Sequence, residues 1–355
     1  MEVTRTAETR LDTVNFDDLG FGRIFSDHMF MSAYKNGAWA SPRIVPFGNI
    51  DISPSLCTLH YGQAIFDGLK AYWSDDGKIA LFRPEKYCER FNRSAVRLCI
   101  PQVDPALFME AVVQLCTIDE PWVPRKRGSS LYIRPFIFAT DSFLGVHVSE
   151  SYLFMIITSP VAAYYKEGLN PVKLVTSGEY VRAAIGGLGA VKTPANYAAS
   201  LLPAEEAQKR GFTQVLWLDA RENKYVEEVG TMNIMFLIDG EVVTPPLDGS
   251  ILGGITRDTV ISLARHWGTP VSERRISIDE VLSRAKDGSL REVFGTGTAA
   301  VISPVGWITH GAESITINKG RIGAFSQKLY DEITGIQYGE RPDPFGWRQT
   351  IESFL

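Results

Sequence analysis

The stretch GGLGAVKTPANYAASL, residues 186–201, places a single lysine, Lys192, among glycines and alanines. Asn196 and Tyr197 follow it within five residues. Small neighbours let other groups pack directly against a lysine, whereas a solvated lysine usually has polar neighbours. Lys192 is therefore either a structural residue or a chemically active one.

Two chemical roles can be compared for Lys192. A phosphate-binding loop has the pattern Gly-x4-Gly-Lys-Ser/Thr, and Gly186, Lys192 and Thr193 match its spacing. Val191 stands where the last glycine belongs, however, and a β-branched residue suits that backbone conformation poorly. The other role is Schiff-base formation, which needs an amine of lowered pKa within reach of a carbonyl carbon. On this segment alone, a Schiff-base lysine and a plain buried or interface lysine both stay open.

The composition is that of a soluble globular protein. The chain has 355 residues, of which 45% are hydrophobic and 22% charged, enough for two domains of ordinary size. Its formal net charge is -5, and no run of Lys and Arg alternates with aromatic residues. This excludes a basic face for nucleic acid and indicates a small-molecule partner.

The cysteines and the apolar runs indicate a cytoplasmic protein without a metal site. None of the four cysteines has Cys-x-x-Cys spacing, and the five histidines form no metal-ligand pattern. No apolar run reaches the roughly 18 residues of a membrane span, and acidic residues near the N-terminus argue against a signal or transit peptide. We therefore expect reduced thiols and no membrane association. The cysteines are Cys57, Cys88, Cys99 and Cys116.

Hydrophobic periodicity predicts a mixed α+β fold of the α/β class. Helical spacing occurs at 85–99, 104–117, 196–210, 256–267 and 323–334. Period-two runs predict strands at 130–140, 151–160, 172–178 and 214–220, and at 231–247 with an Asp-Gly turn at 239–240. The Gly- and Pro-punctuated segment after Pro160 predicts a domain boundary. The predicted division is a small N-terminal domain (1–165), a linker (166–176) and a large C-terminal domain (177–355).

Three further segments could contribute to a site. Glu228 precedes a small, polar bend into a strand, although a surface glutamate would look the same. In GGITRDTV, residues 253–260, two glycines lead into a helix whose first N–H groups could hold a phosphate, or could simply be capped. In EVFGTGTAA, residues 292–300, small residues and hydroxyls could form a second anion cradle or only a tight turn.

Taken together and in order, these segments resemble the branched-chain amino acid aminotransferases, two-domain fold-type IV enzymes that use pyridoxal 5'-phosphate (PLP). The resemblance extends from about Phe21 to Phe345. Its motifs are YGQAIFDGLKAY, LFRPEKYCERFNRSAVRLCIP, YIRPFIF, GGLGAVKTPANYAASL, EEVGTMNI, GGITRD and EVFGTGTAA.

The resemblance implies which residues hold the cofactor. Lys192 is implied as the lysine that forms the Schiff base with PLP, and Tyr197 as the donor to its phenolic oxygen. Glu228 is implied as the partner of the pyridine nitrogen, which a carboxylate keeps protonated so that the ring can accept electrons. The other implied cofactor contacts are Arg90, Thr231, Ile255, Thr256 and Thr298.

The resemblance also implies the substrate contacts. Tyr132 and Arg134 lie two residues apart on one strand, so they point the same way. The implied role of Tyr132, with the N–H groups of Thr298 and Ala299, is to hold the substrate α-carboxylate, and that of Arg134 is to meet the distal carboxylate of glutamate. The implied pocket walls are Tyr61 and Phe66, with Leu144 and Val146 reaching in from a second subunit, so a homodimer is expected.

The implied reaction is reversible transfer of the amino group of leucine, isoleucine or valine to 2-oxoglutarate. Alternatives are another fold-type IV enzyme, namely a D-amino acid or (R)-amine transaminase or aminodeoxychorismate lyase, and a phosphate-binding protein without catalysis. The sequence departs from the family at Pro194-Ala195, where a glycine pair is frequent. Ala300 and Ser303 replace the mammalian Cys-x-x-Cys, which argues against thiol regulation.

Overall fold

The computed structural model describes residues 1–162 and 169–354. Within it the chain forms two compact units. Unit 1 comprises Met1–Lys166, Lys192–Pro194 and Gly335–Leu355, and unit 2 comprises Glu167–Val191 and Ala195–Thr334. The three residues that begin with Lys192 therefore belong to unit 1, whereas the chain on both sides of them belongs to unit 2.

Helices and strands are mixed along the chain, which confirms the predicted fold class. In chain order the strands are β1 (Glu2–Val3), β2 (His28–Lys35), β3 (Ala38–Pro46), β4 (Ala64–Phe66), β5 (Leu69–Trp73), β6 (Ile79–Phe82), β7 (Ser130–Ala139), β8 (Tyr152–Val161), β9 (Val172–Thr176), β10 (Gln214–Leu218), β11 (Val226–Val229), β12 (Met232–Ile238), β13 (Glu241–Thr244), β14 (Val271–Glu273), β15 (Leu290–Gly297), β16 (Val301–His310), β17 (Glu313–Thr316) and β18 (Arg348–Thr350). The α-helices are α1 (Cys57–Tyr61), α2 (Pro84–Arg97), α3 (Pro105–Ile118), α4 (Pro194–Ala199), α5 (Leu201–Lys209), α6 (Ile255–His266), α7 (Ile278–Lys286) and α8 (Ala324–Tyr338).

Unit 1 is built on one sheet with the strand order β1-β3-β2-β8-β7-β5-β6-β18, and β4 pairs with β7. Its longest ladder joins β7 and β8, which run antiparallel from Ser130↔Val161 to Ala139↔Tyr152. Helices α2 and α3 pack together through the aromatic rings of Phe91 and Phe108, whose centroids are 5.6 Å apart. Both rings are fully buried, so they anchor the helices in the core of the unit.

Unit 2 is built on a second sheet, with the order β11-β10-β9-β16-β15-β12-β13-β14. Strand β11 also pairs with β12, so β9, β10, β11, β12, β15 and β16 close into a ring. The β12–β13 hairpin turns at Asp239 and Gly240, both with positive φ (50° and 83°). This is the backbone that an Asp-Gly turn favours, and the predicted hairpin is confirmed.

The structure differs from the sequence prediction at the helix expected over 196–210. That helix is broken into α4 and α5 at Ser200. Pro203 lies in the first turn of α5, where its missing N–H does no harm, whereas inside a continuous helix it would remove a hydrogen bond. The proline therefore explains the break.

The predicted division of the chain also differs from the structure in two places. Strand β9 (Val172–Thr176) lies within the segment predicted as a linker and pairs with β10 and β16 in the sheet of unit 2. The C-terminal Gly335–Leu355 groups with unit 1 rather than with the C-terminal unit. The boundary predicted at 165/166 stays a prediction, because residues 163–168 lie outside the described part of the chain.

All four cysteines lie in unit 1 as free thiols; Cys57, Cys88 and Cys116 are buried, and Cys99 is exposed. Burial raises the pKa of the Cys88 thiol to about 11. It raises the pKa of the Cys116 thiol to about 12. Neither of these two thiols is set up to react in the folded protein, because the thiolate is the reactive form.

Candidate functional site

The backbone of Lys192 is held by hydrogen bonds within unit 1. Its N–H donates to Ser94 Oγ at 3.0 Å, and its carbonyl accepts from the N–H of Phe66 at 3.1 Å. Thr193 Oγ1 donates to the carbonyl of Ala64 at 2.9 Å. The Lys192 ammonium nitrogen lies 5.0 Å from the centre of the Phe66 ring. The lysine is therefore fixed against β4 and α2, and it is only half-buried.

The chain around this segment is fixed within unit 2. Asn196 Nδ2 donates to the carbonyls of Leu188 and Val191, each at 2.8 Å. Gly189 packs against Ser250 so closely that a Cβ would lie 2.0 Å from the Ser250 carbonyl oxygen. The small residues are thus held by the Asn196 hydrogen bonds and by the close packing of Gly189 on Ser250. That packing is possible because glycine has no Cβ.

Strand β7 presents Tyr132 and Arg134 on the same face, as its period predicts. Arg134 Nη2 donates to Tyr132 Oη at 3.1 Å, and the guanidinium lies 4.7 Å from the centre of the Phe66 ring. Within the described residues, the buried Arg134 Nε has no hydrogen-bond partner. This face therefore combines an aromatic surface with a buried donor that can bind an anion.

Arg90, on α2, makes a two-point ion pair with Asp67. Arg90 Nε donates to Asp67 Oδ2 at 3.0 Å and Nη2 donates to Oδ1 at 2.6 Å. Asp67 is fully buried, and Arg90 is 4% exposed. The sequence prediction included the arginine but not its partner.

The remaining predicted residues of unit 1 are exposed. Tyr61 is 44% exposed, Leu144 is 71% exposed and Val146 is 88% exposed. In the single chain, both aliphatic side chains, at 144 and 146, are therefore open to solvent.

Lys70, directly opposite Tyr132 in the β5–β7 ladder, is a buried cation of unit 1. Burial lowers the pKa of its amine to about 8. A lysine kept from water in this way lies close to the residues predicted to bind carboxylates.

In unit 2, Glu228 is a buried carboxylate whose partners include Arg182 and Asn233. Its Oε2 lies 2.5 Å from Arg182 Nε, and its Oε1 accepts from Asn233 Nδ2 at 2.9 Å. A small cavity is lined by Glu228, Tyr197 and Thr231 together with Arg182. The structure thus brings three of the predicted cofactor residues together.

Helix α6 begins at Ile255, with Thr256 next, after the Gly253-Gly254 pair. Gly254 is the N-cap, and no side chain of the described residues caps the helix there. A Cβ at Gly254 would lie 1.9 Å from Asn233 Oδ1, so only glycine fits. The helix start therefore offers N–H groups to an anion and is packed against a residue that also holds Glu228.

Thr298 and Ala299 lie in a tight turn between β15 and β16, where Gly297 pairs with Val301. Val301 has a φ of 61°, a left-handed conformation that is strained for a β-branched residue. Such strain persists only where the surroundings fix the backbone, so the turn is rigidly defined.

Arg182 is a central residue of unit 2 that the sequence analysis missed. It lies beside Glu228, and its Nη2 donates to the carbonyls of Gly189, at 3.1 Å, and Ser250. It therefore links the loop before the lysine to the predicted ring partner. Asn233 could have been predicted, because a polar residue inside the apolar run of β12 is unusual. Arg182 lies in a loop, where an arginine is not unusual.

The described residues contain no group of three or more His, Cys, Asp or Glu side chains that could hold a metal ion. Across residues 1–162 and 169–354, each helix is too short or too polar to span a bilayer.

Comparison with known proteins gives the family. Residues 64–308 match the model of the amino-transferase class IV family. The branched-chain-amino-acid aminotransferase 2 of Bacillus subtilis is 54% identical over 352 residues, which is 99% of this chain and 96% of that protein. The chain therefore belongs to the class IV aminotransferases and, among them, to the branched-chain-amino-acid aminotransferases, which confirms the resemblance seen in the sequence.

Solved structures agree with this assignment. The branched-chain amino acid aminotransferase from Escherichia coli is 28% identical with a TM-score of 0.72, covering 92% of this chain and 99% of that one. The T.th. branched-chain amino acid aminotransferase, solved in complex with N-(5'-phosphopyridoxyl)-L-glutamate, is 29% identical with a TM-score of 0.72, covering 90% and 98%. These similarities confirm a fold-type IV architecture.

Proposed function

We propose that the chain transfers the amino group of leucine, isoleucine or valine to 2-oxoglutarate, reversibly, with PLP as cofactor. The observation that carries this proposal is the Phe66–Arg134 pair on the face of β4 and β7. An aromatic ring suits an aliphatic side chain, and a guanidinium with a buried, unused donor suits the distal carboxylate of glutamate.

The residues present fit PLP. Its phosphate suits the N–H groups at the start of α6, which no side chain of the described residues caps, and Arg90 is a second candidate to hold it. Its pyridine nitrogen suits the buried carboxylate of Glu228. When bound, PLP supplies an electron sink for the negative charge that develops at the substrate Cα. Supporting this assignment, the T.th. relative was solved with a phosphopyridoxyl derivative of glutamate.

We assign the cofactor contacts residue by residue. Lys192 holds PLP covalently through its amine, and Tyr197 and Thr231 contact it from the cavity beside Glu228. The N–H groups of Ile255 and Thr256, the Thr298 hydroxyl and Arg90 hold the phosphate. Arg182 and Asn233 keep the Glu228 carboxylate in place, so that it can accept the pyridinium N–H.

The substrate is bound and its proton moved by other atoms of the chain. Tyr132 Oη and the N–H groups of Thr298 and Ala299 hold the α-carboxylate, which fixes the direction of the Cα–H bond. The amine of Lys192 would serve as the base that takes the proton from Cα. Because its backbone is tied at both N–H and carbonyl, its amine is delivered to one face of the substrate.

The direct test of this function is an amino-donor panel with 2-oxoglutarate as the acceptor. We expect leucine, isoleucine and valine to be used far better than D-alanine or an (R)-amine, with glutamate as the product. Activity confined to D-amino acids, or no turnover in the presence of PLP, would overturn the proposal.

Arg134→Leu tests how one pocket serves an apolar and an acidic side chain. Losing the charge-assisted contact should cost glutamate and 2-oxoglutarate about 1.5–3 kcal/mol, or roughly ten- to over a hundredfold in their half-reaction. Leucine should be affected much less. Stopped-flow half-reactions with glutamate and leucine measure this, with the melting temperature as a control for folding. Equal losses for the two substrates would contradict the selectivity role.

We further propose a homodimer in the cytoplasm, in which Leu144 and Val146 of each subunit line the pocket of the other. Their high exposure in the single chain supports this. Tyr61 and Phe66 are proposed to form the opposite wall of the side-chain pocket.

A further inference from the structure

We propose that Asp67 is a positioning residue for the cofactor phosphate, acting through Arg90. This inference rests on the proposed phosphate role of Arg90. It concerns a residue that the chemistry itself does not use, because Asp67 is fully buried and directs both carboxylate oxygens to the arginine.

Asp67 is itself locked in place before it meets Arg90. Its Oδ1 accepts from the N–H of Gly68 at 2.7 Å, and its own N–H donates to the carbonyl of Pro135 at 2.8 Å. The N–H of Gly68, the residue before β5, thus holds one carboxylate oxygen, and the bond to Pro135 on β7 holds the Asp67 backbone. The sheet therefore supports the carboxylate to which the guanidinium is paired.

The two-point contact uses one particular side of the guanidinium. Nε and Nη2 face Asp67, so the outer N–H groups of the planar fork, including both on Nη1, are directed away from it. The Arg90 guanidinium also lies 5.4 Å from the centre of the Tyr87 ring. The plane and the direction of the remaining donors are thereby set within unit 1 alone.

Such a pair can strengthen phosphate binding although it offsets part of the positive charge. A long arginine side chain otherwise loses rotamer freedom when a ligand orders it. It also tends to extend towards water when its charge is buried without a partner. A fixed carboxylate removes both costs, so phosphate meets a donor already in its bound geometry.

A purely structural role for the Asp67–Arg90 pair predicts that its loss weakens PLP and pyridoxal binding alike. Asp67 directly follows Phe66, whose N–H bonds the carbonyl of Lys192, so disturbing Asp67 could also move the lysine. The two explanations separate when PLP is compared with pyridoxal, which keeps the aldehyde for Lys192 but lacks the phosphate.

The experiment measures the Kd of the full-length apo chain for PLP and for pyridoxal by absorbance. For Asp67→Asn we expect PLP affinity to fall about tenfold or more, while pyridoxal affinity changes less than about twofold. The matched control is Asp119→Asn. This aspartate is also buried in unit 1, and its Oδ1 lies 2.6 Å from His28 Nδ1, so its loss should lower the melting temperature without changing the ratio of the two affinities. Equal loss for both ligands, or no loss, overturns the positioning role.

Arg90→Lys, alone and combined with Asp67→Asn, separates this inference from the proposed function. If Arg90→Lys leaves the preference for PLP over pyridoxal unchanged, the phosphate role of Arg90 itself is wrong. If it reduces the preference and Asp67→Asn does not, only the present inference fails. Because Asp67 acts through Arg90, its substitution should add little in the Arg90→Lys background. Should Asp67→Asn fold only with PLP, the rate of PLP release from the holoenzyme takes the place of Kd, and a rate equal to the wild-type value overturns the inference.

Discussion

At the scale of single residues, the position of the Tyr132 phenol depends on a glycine. A Cβ on Gly68 would lie 1.8 Å from Tyr132 Oη and 2.5 Å from its Cζ. Real atoms do not approach so closely, so any side chain at position 68 must displace the tyrosine. Because Tyr132 also accepts from Arg134, its displacement would disturb both proposed carboxylate contacts.

Gly68→Ala should therefore weaken the binding of both substrates. We expect kcat/KM for leucine and for glutamate to fall together, by about tenfold to a hundredfold, because an error of about 1 Å in a positioning group can cost that much. Steady-state kinetics measure this. Gly48→Ala is the matched control, since a Cβ there meets nothing within 4 Å, and it should be neutral. Wild-type kinetics for Gly68→Ala would mean that Tyr132 does not position the substrate.

Local pattern could predict some of these residues and not others. The shared face of Tyr132 and Arg134 followed from the period of a strand, which depends only on neighbouring residues, whereas their proposed roles came from the family resemblance. Asp67 and Arg182 could not be found in this way. Their importance arises from partners 23 and 46 residues away in the chain, and nothing in the local sequence specifies that pairing.

At the scale of elements, helix α2 carries both the proposed phosphate contact and a contact to the lysine segment. Arg90 and Ser94 are four residues apart, so they lie on the same face of the helix. One holds Asp67 and the other holds the backbone of Lys192. The distance between the proposed phosphate contact and the lysine is thus set partly by the pitch of a helix.

Ser94→Ala should destabilise the lysine segment. It leaves the N–H of Lys192 without its acceptor, at a cost of about 1–3 kcal/mol if water does not replace the hydroxyl. Urea unfolding measures the loss, and kcat should fall with it. Ser159→Ala is the control. Within the described residues the buried Ser159 Oγ has no partner, so this change should be neutral or stabilising. Equal stability effects for the two serines would argue against the contact.

Prediction of elements was best where the signal was short-range. The Asp239-Gly240 turn and the apolar strands on either side of it are encoded within a few residues. The order of the strands is not. Strand β18 (Arg348–Thr350) completes the edge of the unit 1 sheet beside β6, a pairing across more than half the chain that no local pattern indicates. The grouping of the C-terminal segment with unit 1 therefore could not be predicted from local sequence.

At the scale of the whole molecule, the exposure of Leu144 and Val146 predicts association of two chains. Light scattering should give the mass of two 39.4 kDa chains for the active species. Replacing both residues with aspartate should shift the protein towards monomers and lower its activity, because apolar contact surface becomes charged. Val96→Asp, at another exposed valine of unit 1, is the control. Full activity in a species with the mass of one chain would overturn the dimer.

The arrangement of the cysteines allows thiol labelling to measure local opening of unit 1. Only Cys99 of the four is exposed, so a thiol-reactive dye added to the folded protein should attach at one place and leave the proposed site unlabelled. The other three thiols become accessible only when the core around them opens. The rate at which labelling rises beyond one dye per chain then measures how often the core opens. This rate can be compared between the cofactor-loaded and the cofactor-free protein.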